Sequence, residues 1–307
     1  MKKALFTALV LVLALAASAQ ETNEVKKSWT HHGNIGLNFG QSAFANWSVG
    51  GQSSLNWQGI FNYELHYQKN SLQWDNTLNA SLGYLFYSFK KGVKPIKTDD
   101  KLEFTSLLGV KATEKLYYSA ELAFRSQFAK GYDYEKDSTH YISRFLAPAY
   151  ISLGIGIDWV PNPYFSLNFA PLTGRLTIVR DTTLAESFGF TPHLDPNDDE
   201  HLIFSQTRME FGARVVAKFQ YPFTENILFN SKLELFSNSL KNPQYIDVDW
   251  QNLLVLKVNS WLNASLATHL IYDYDIPFYD AVTGEKIKGS KVQFKEVLSI
   301  GFMINLK

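Results

Sequence analysis

The chain has 307 residues with 29 basic and 29 acidic side chains, and this balance gives no indication of a nucleic-acid partner. It contains no cysteine, which excludes disulfide staples and a cysteine-linked lipid anchor. Aromatic residues make up 15% of the chain. Beyond the N-terminal region no apolar stretch is long enough for a membrane-spanning helix, which excludes helical spans.

The first nineteen residues predict a secretory signal peptide. Lys2 and Lys3 give a positive start, residues 4–16 are apolar, and Ala17-Ser18-Ala19 is a small-residue cleavage site. An uncleaved N-terminal membrane anchor is the alternative. We expect residues 1–19 to be removed on export, so that the mature chain begins at Gln20.

Two-residue alternation is the strongest pattern in the rest of the chain. Successive side chains of a strand point to opposite faces, so alternation predicts strands with one apolar and one polar face. From Ser54 to Gln68 the apolar face reads Leu55, Trp57, Gly59, Phe61, Tyr63, Leu65 and Tyr67. The final segment repeats this with Val292, Phe294, Glu296, Leu298, Ile300, Phe302, Ile304 and Leu306.

The same pattern predicts twelve strands of unusual length. A tilted strand needs about 9–11 residues to cross a membrane, whereas strands of soluble proteins average about 5–6. A soluble all-β protein with an aromatic core is the alternative, but it would not need this length. The predicted strands are 29–40, 54–68, 71–88, 100–112, 116–128, 149–160, 164–179, 205–221, 227–238, 247–258, 261–274 and 292–306.

The connections between these strands alternate in length, as in bacterial outer-membrane barrels. Short ones are Lys69-Asn70, Thr113–Lys115, Pro161–Pro163, Pro222–Asn226 and Asn259-Ser260. Long polar ones are 41–53, 89–99, 129–148, 180–204, 239–246 and 275–291. We therefore predict a closed antiparallel transmembrane β-barrel over residues 20–307, located in the outer membrane of a Gram-negative cell, with the short turns in the periplasm and the long loops outside.

Polar strand positions predict charges that face the lumen of this barrel. Two interpretations stay open, an internal network of paired charges and a water-filled pore whose wall selects solutes. Twelve strands lie between barrels filled by side chains and barrels with a channel, so size does not decide. The candidate lumen charges are Glu64, His66, Asp75, Glu103, Lys111, Glu121, Arg125, Asp158, Arg175, Glu210, Arg214, Lys232 and Glu234.

Catalytic, cofactor and metal sites are not predicted. No histidine stands beside a serine in the pattern of an outer-membrane lipid hydrolase, although that class is retained as a third hypothesis. The acidic run Asp195 to Glu200 lacks the glycine and terminal glutamate of an EF-hand loop and suits a solvated loop better than a calcium site.

A resemblance to a known family enters through two segments. Residues 42–51, read as Ser-Ala-Phe-Ala-Asn-Trp-Ser-Val-Gly-Gly, and Ala170–Thr177 resemble segments of a Bacteroidota envelope family catalogued as domain of unknown function 3078. The resemblance covers nearly the whole mature chain and implies an outer-membrane barrel, but no activity. Ser138, Thr139, Thr182 and Thr183 lie in Asp-Ser/Thr tripeptides similar to the O-glycosylation acceptors of Bacteroidota, a pattern that is also common by chance.

The first long loop suggests a plug or constriction. Its aromatic residues Phe44 and Trp47 are able to fold inward, Asn46 adds a polar group, and the Gly50-Gly51 pair permits a tight turn. The leading functional prediction is a channel or transporter for small polar solutes. The alternative is a non-enzymatic structural or surface-interaction barrel with a filled or plugged lumen. Expected partners are outer-membrane lipids, lipopolysaccharide and a small polar solute.

Overall fold

A computed structural model of the chain describes residues 28–43, 53–87, 93–134, 137–195, 198–278 and 290–306. The predicted signal peptide and the predicted plug residues Phe44, Asn46, Trp47, Gly50 and Gly51 lie outside these ranges. Within them, no helix is long and apolar enough to cross a membrane.

Long strands dominate the described residues. Those of the main sheet are β1 (Trp29–Ser42), β2 (Ser54–Lys69), β3 (Leu72–Phe86), β4 (Ile96–Lys111), β5 (Leu116–Ser126), β8 (Ala149–Asn162), β9 (Phe165–Ile178), β12 (Thr207–Thr224), β13 (Ile227–Asn238), β14 (Ile246–Lys257), β15 (Leu262–Tyr272) and β16 (Gln293–Leu306). Shorter elements between them are β6 (Gly131–Asp133), β7 (Asp137–Ser143), two 3-10 turns (Thr182–Leu184 and Glu186–Phe188), β10 (His193–Asp195) and β11 (Asp198–Ile203).

The twelve long strands of the described chain close into a single antiparallel barrel. Each long strand pairs with the long strands that precede and follow it in the sequence, and β16 pairs with β1 to close the sheet. The closing register runs from Gly33 opposite Leu306 to Phe39 opposite Ile300. The predicted fold class, an all-β closed antiparallel barrel of twelve strands, is confirmed.

The two faces of the barrel wall differ in polarity as the alternation predicts. Outward side chains are large and apolar and stay exposed; Leu172 and Leu298, for example, are 72% and 75% exposed. Inward side chains include charged residues that are almost completely buried, among them Glu210 and Arg214, each 2% exposed. This is the reverse of a soluble sheet protein, in which the buried face is apolar.

The barrel has two distinct ends, named here the turn end and the loop end. At the turn end the strands are joined by short connections at 70–71, 112–115, 163–164, 225–226 and 258–261. At the loop end the connections are longer, and two of them carry structure that the sequence did not predict. The stretch predicted as a polar loop at 129–148 contains the β6–β7 hairpin, and that at 180–204 contains both 3-10 turns and the β10–β11 hairpin.

These two loops share a small apolar core beyond the end of the barrel. Ala147, Val179, Leu184, Ala185 and Phe190 are buried together, and Tyr141, Phe188 and Phe204 pack against them. The residues are scattered over about sixty positions and follow no strand or helix period. Hydrophobic burial therefore orders loops whose composition is mostly polar.

Gly156 marks a place where the wall leaves no room for a side chain. It lies in β8 beside an irregularity in the β8–β9 pairing, and a Cβ there would stand 1.9 Å from the Phe169 carbonyl oxygen. We expect Gly156→Ala to lower the free energy of unfolding by about 1–3 kcal/mol, because the backbone of β8 or β9 has to move to make room for the added Cβ. Urea-induced unfolding of the barrel in lipid vesicles measures this free energy for the wild type and the variant. Gly59→Ala is the matched control, because the atoms nearest to a Cβ at Gly59 would be 3.9 Å away. Equal free energies of unfolding for the two variants would contradict the prediction.

Candidate functional site: the charged lumen

The inward charges form a connected set of ion pairs. Arg214 of β12 contacts Glu121 of β5, three strands away around the wall, and donates to both Glu234 carboxylate oxygens at 2.9 Å. The Arg214 and Glu121 side chains are 3% and 2% exposed. Lys232 adds a positive charge that interacts with the Glu103 and Glu234 carboxylates. Buried charges of both signs are thereby held close to partners.

Some of these contacts bridge opposite walls. Arg125 of β5 contacts the Asp249 carboxylate of β14, which also lies 3.1 Å from the His269 ring. Gln251 of β14 donates to Glu103 of β4 at 3.2 Å, and it accepts from Lys101 of β4 at the same distance. Strands β4 and β14 stand directly across the barrel from each other. Side chains therefore cross the lumen at its middle.

A second group of contacts lies toward the loop end. Arg175 binds the Glu210 carboxylate through two hydrogen bonds of 2.9 and 3.1 Å and reaches Asp247 at 2.7 Å. Near the closing seam, the Asp99 carboxylate accepts from Lys295 at 2.7 Å and from Gln58 at 2.6 Å. Arg175 and Glu210 lie on the neighbouring strands β9 and β12, whereas the contacts of Arg175 with Asp247 and of Asp99 with Lys295 and Gln58 join strands that are not neighbours in the sheet.

The turn end of the lumen is open by comparison. A cavity of about 450 Å³ there is lined by polar and charged groups that include Glu64, His66, Asp75, Asp158 and Lys218. A smaller one of about 340 Å³ shares Glu64 and His32 with it. His66 and Asp75 contact each other, and Asp158 is 3% exposed. The result is a polar vestibule below the bridged middle of the barrel.

The loop end is covered by the loops themselves. Arg208, an inward residue of β12, donates to the carbonyl oxygens of Phe188 at 3.3 Å and Gly189 at 3.1 Å, and it lies 3.5 Å from the Asp275 carboxylate. Gly189 has a φ of 78°, and a Cβ there would stand 2.2 Å from the Asp275 carbonyl oxygen. The loops after β9 and after β15 therefore meet over this end of the lumen.

Twelve of the thirteen predicted lumen charges fall into these groups. Those in the bridged network are Glu103, Glu121, Arg125, Arg175, Glu210, Arg214, Lys232 and Glu234, and those at the vestibule are Glu64, His66, Asp75 and Asp158. Lys111 is different, because it is exposed at the last residue of β4 and has no ion pair among the described residues.

Several members of the network were missing from the prediction. Asp247, Asp249 and Gln251 follow one another at every second position of the predicted strand 247–258, so the alternation itself marks them. Asp99 was missed because the predicted strand started at residue 100, whereas β4 begins at Ile96. A boundary error of four residues was enough to place a lumen carboxylate in a loop.

Metal and catalytic geometry received no support. Within the described ranges, no group of three or more His, Asp or Glu side chains could hold a metal ion. The structure does not describe the side chains of residues 196–201, which include most of the acidic run. His66 and His269 face the lumen beside aspartates rather than the outer surface beside a serine.

Comparison with known proteins adds a family match. Residues 39–132 match the family model "Protein of unknown function (DUF3078)". The match covers less than half of the 307 residues. It includes the predicted signature at 42–51 and stops before the second predicted segment, Ala170–Thr177. No curated protein matches the chain in sequence.

Three solved structures of similar form are remote in sequence from this chain. The translocator domain of autotransporter NalP from Neisseria meningitidis is 6% identical, with a TM-score of 0.39, covering 100% of this chain and 96% of that one. An outer membrane channel from Pseudomonas putida F1 is 12% identical, with a TM-score of 0.38, covering 92% and 100%. The P. putida toluene transporter TodX is 10% identical, with a TM-score of 0.29, covering 92% and 90%. The barrel described above rests on the strand pairing of this chain itself.

Arg214 provides a direct test of the network. Replacing it with leucine leaves the buried Glu121 and Glu234 carboxylates without their partner, so we expect a loss of about 3–5 kcal/mol in the free energy of unfolding. Urea titration of the vesicle-inserted barrel measures the loss. Lys295→Met is the comparison, because that side chain is 47% exposed and the Asp99 carboxylate that it leaves keeps its hydrogen bond from Gln58. A loss no greater for Arg214→Leu than for Lys295→Met would show that the network is not a major source of stability.

We expect Asp181 to make the loop-end cover sensitive to acid. Its carboxylate accepts from the Tyr141 hydroxyl at 2.6 Å and from Thr183 Oγ1 at 2.7 Å, and these bonds hold the pKa of Asp181 below its ordinary value of 3.8. A depressed pKa stabilises the folded loop fully above pH 3.8, and this contribution is lost as the pH falls through the folded value.

We therefore expect pepsin cleavage near residues 179–190 to increase as the pH falls below 3.8. Mass spectrometry of the cleavage products follows it, with the Asp181→Asn variant as the control. If cleavage of the Asp181→Asn variant increases over the same pH range, the effect comes from another titrating group.

Proposed function

We propose that this chain is an integral β-barrel of the outer membrane of a Gram-negative bacterium of the Bacteroidota. The resemblance of residues 42–51 supports the Bacteroidota origin, and three observations support the outer-membrane barrel. The barrel wall presents a largely apolar outer face, its closed sheet pairs backbone groups internally as a lipid environment requires, and the N-terminal sequence has the pattern of a signal peptide. In this membrane the turn end faces the periplasm and the loop end faces the exterior.

Within that membrane, the geometry best supports a non-enzymatic barrel with a lumen closed by its own side chains, which presents its covered loop end to the cell exterior. The observation that carries this is the set of contacts across the lumen, Arg125 with Asp249 and Lys101 with Gln251. A solute crossing the barrel has to break them. The structure thus favours the second of the two hypotheses from the sequence over an open channel.

A gated channel for small polar solutes is the second candidate. The polar vestibule of about 450 Å³ at the turn end supports it, since such a space is large enough for a small solute. The Arg125 side chain also retains 35% of its surface exposed, so the bridge is bordered by open space rather than sealed by packing. On this hypothesis the bridging ion pairs have to separate for passage.

Catalysis is not proposed. His66 and His269 face the lumen beside aspartates, and a lipid hydrolase needs its histidine and serine together where lipid can reach them. Outer-membrane lipids and lipopolysaccharide are the proposed partners. Thr182 and Thr183 are exposed at the loop end, which is compatible with their proposed glycosylation.

Single-channel recording in planar bilayers tests the closed lumen. We expect the wild-type barrel to give no conductance above background. Removing both members of one bridge, as in the double variant Arg125→Ala with Asp249→Ala, should produce discrete channel openings. Lys111→Ala is the control, since that exposed residue lies outside the network. Wild-type openings would instead support the channel.

A further inference from the structure

The vestibule at the turn end holds charged groups that the bridged network does not use. Glu64 of β2 and Lys218 of β12 both line its cavity of about 450 Å³, and both are exposed inside the lumen. Neither side chain has an ion pair or a hydrogen bond among the described residues. Arg214 in the middle of the barrel is by contrast buried between two carboxylates. The vestibule therefore presents charges that a bound molecule can reach.

A buried carboxylate at the wall of the vestibule has no ion pair in the described part of the chain. Asp158 lines the cavity and is only 3% exposed. Asn168 donates a hydrogen bond to it, and the charge of Lys218 acts on it from a longer distance. The Asp75 carboxylate of β3, three strands away around the wall, is close enough to repel it. Two carboxylates that repel each other beside a cavity favour a positive charge between them.

Two more accessible carboxylates lie close together on the wall formed by β2 and β3. The register pairs Glu64 with Thr77 and His66 with Asp75, so Glu64 and Asp75 are diagonal neighbours on the inner face. The Cβ atoms of such neighbours are about 7–8 Å apart, which is short enough for one ammonium group to reach both carboxylates. The Asp75 side chain is 36% exposed beside His66, so a molecule in the cavity has access to it.

The charge balance of the cavity indicates the class of ligand. Its lining carries three carboxylates, those of Glu64, Asp75 and Asp158, against the single lysine Lys218. With the histidines counted as neutral, two negative charges remain without compensation. Within the described ranges no three acidic or histidine side chains are placed to hold a metal ion. A cavity of about 450 Å³ instead has the size of a site for a small organic molecule.

We propose that the vestibule binds a small organic dication, a linear molecule with a primary ammonium group at each end. One ammonium group donates to the Glu64 and Asp75 carboxylates, and the other lies toward Asp158. The two positive charges balance the two negative charges that Lys218 leaves uncompensated. Access to the site from the periplasm rests on the proposed function, because that function sets the orientation of the barrel. Binding itself requires no open pore.

A zwitterion or an anion fits the vestibule less well than a dication. A ligand carboxylate has only Lys218 to bind among the lysines and arginines of the lining, and there it competes with Asp158 for the same positive charge. It also enters a cavity that already holds three carboxylates. Like charges in a space of low dielectric repel each other strongly, so a carboxylate on the ligand weakens its binding.

Isothermal titration calorimetry of the full chain, folded in detergent micelles, tests the site. The probes are putrescine, butanediol and succinate, which share a four-carbon chain and carry two positive charges, no charge and two negative charges. We expect the barrel to bind one putrescine and neither of the other two. Glu64→Gln should weaken putrescine binding about tenfold, as expected for the loss of one charge-assisted hydrogen bond. Lys218→Gln should strengthen it about two- to fivefold, because a repelling charge is removed.

Glu225→Gln is the matched control, because Glu225 is exposed in a turn at the same end of the barrel and does not line the cavity. Its variant should bind putrescine as the wild type does. Equal binding of butanediol or succinate, or equal weakening by Glu225→Gln and Glu64→Gln, overturns the site. Mg²⁺ that displaces putrescine at equal concentration also overturns it and assigns the vestibule to a metal ion.

Single-channel recording of the same preparation separates this site from the proposed function. A barrel that conducts and binds putrescine contradicts the closed lumen but supports the site. A barrel that neither conducts nor binds putrescine overturns the site alone.

Discussion

The constraint on which this structure depends is the closure of one antiparallel sheet on itself. Closure pairs the backbone of β16 with that of β1, so the wall has no open edge at the seam from Gly33 to Phe39. It also gives each strand only two environments, the outer surface and the lumen. Every side chain has to take one or the other at alternate positions, and the assignment of one residue fixes that of all its neighbours along the strand.

The charged lumen follows from this constraint. Because the outer positions are apolar, the ionisable residues of the strands project into a narrow interior, where an unpaired charge is costly. Arg214 illustrates the solution, since it has Glu121 on one side and Glu234 on the other. The same arrangement has a functional consequence. Charges paired across the lumen hold opposite walls together, and in the proposed function the same contacts close the pore.

Departures from the simple two-face pattern are informative for the same reason. Asn252 and Glu296 lie on an outer face that is otherwise largely apolar, and alternation offers no way to turn them inward without turning Trp250 and Phe294 inward as well. The loop-end core is a different departure, because Val179, Leu184 and Phe190 lie outside the sheet. Their burial depends on packing between two loops rather than on the strand period.

The amino-acid sequence alone determined the barrel, its twelve strands and the direction of most lumen charges, because strand alternation is local and has a period of two residues. Residues such as Glu103 and Glu121 were assigned to the lumen from their own segments. Only the tertiary structure decided which charges meet, since Arg125 and Asp249 are far apart in the chain and come together through closure. Asp99 and the loop-end hairpins were missed because strand ends and loop packing depend on contacts with distant residues, which carry no local period.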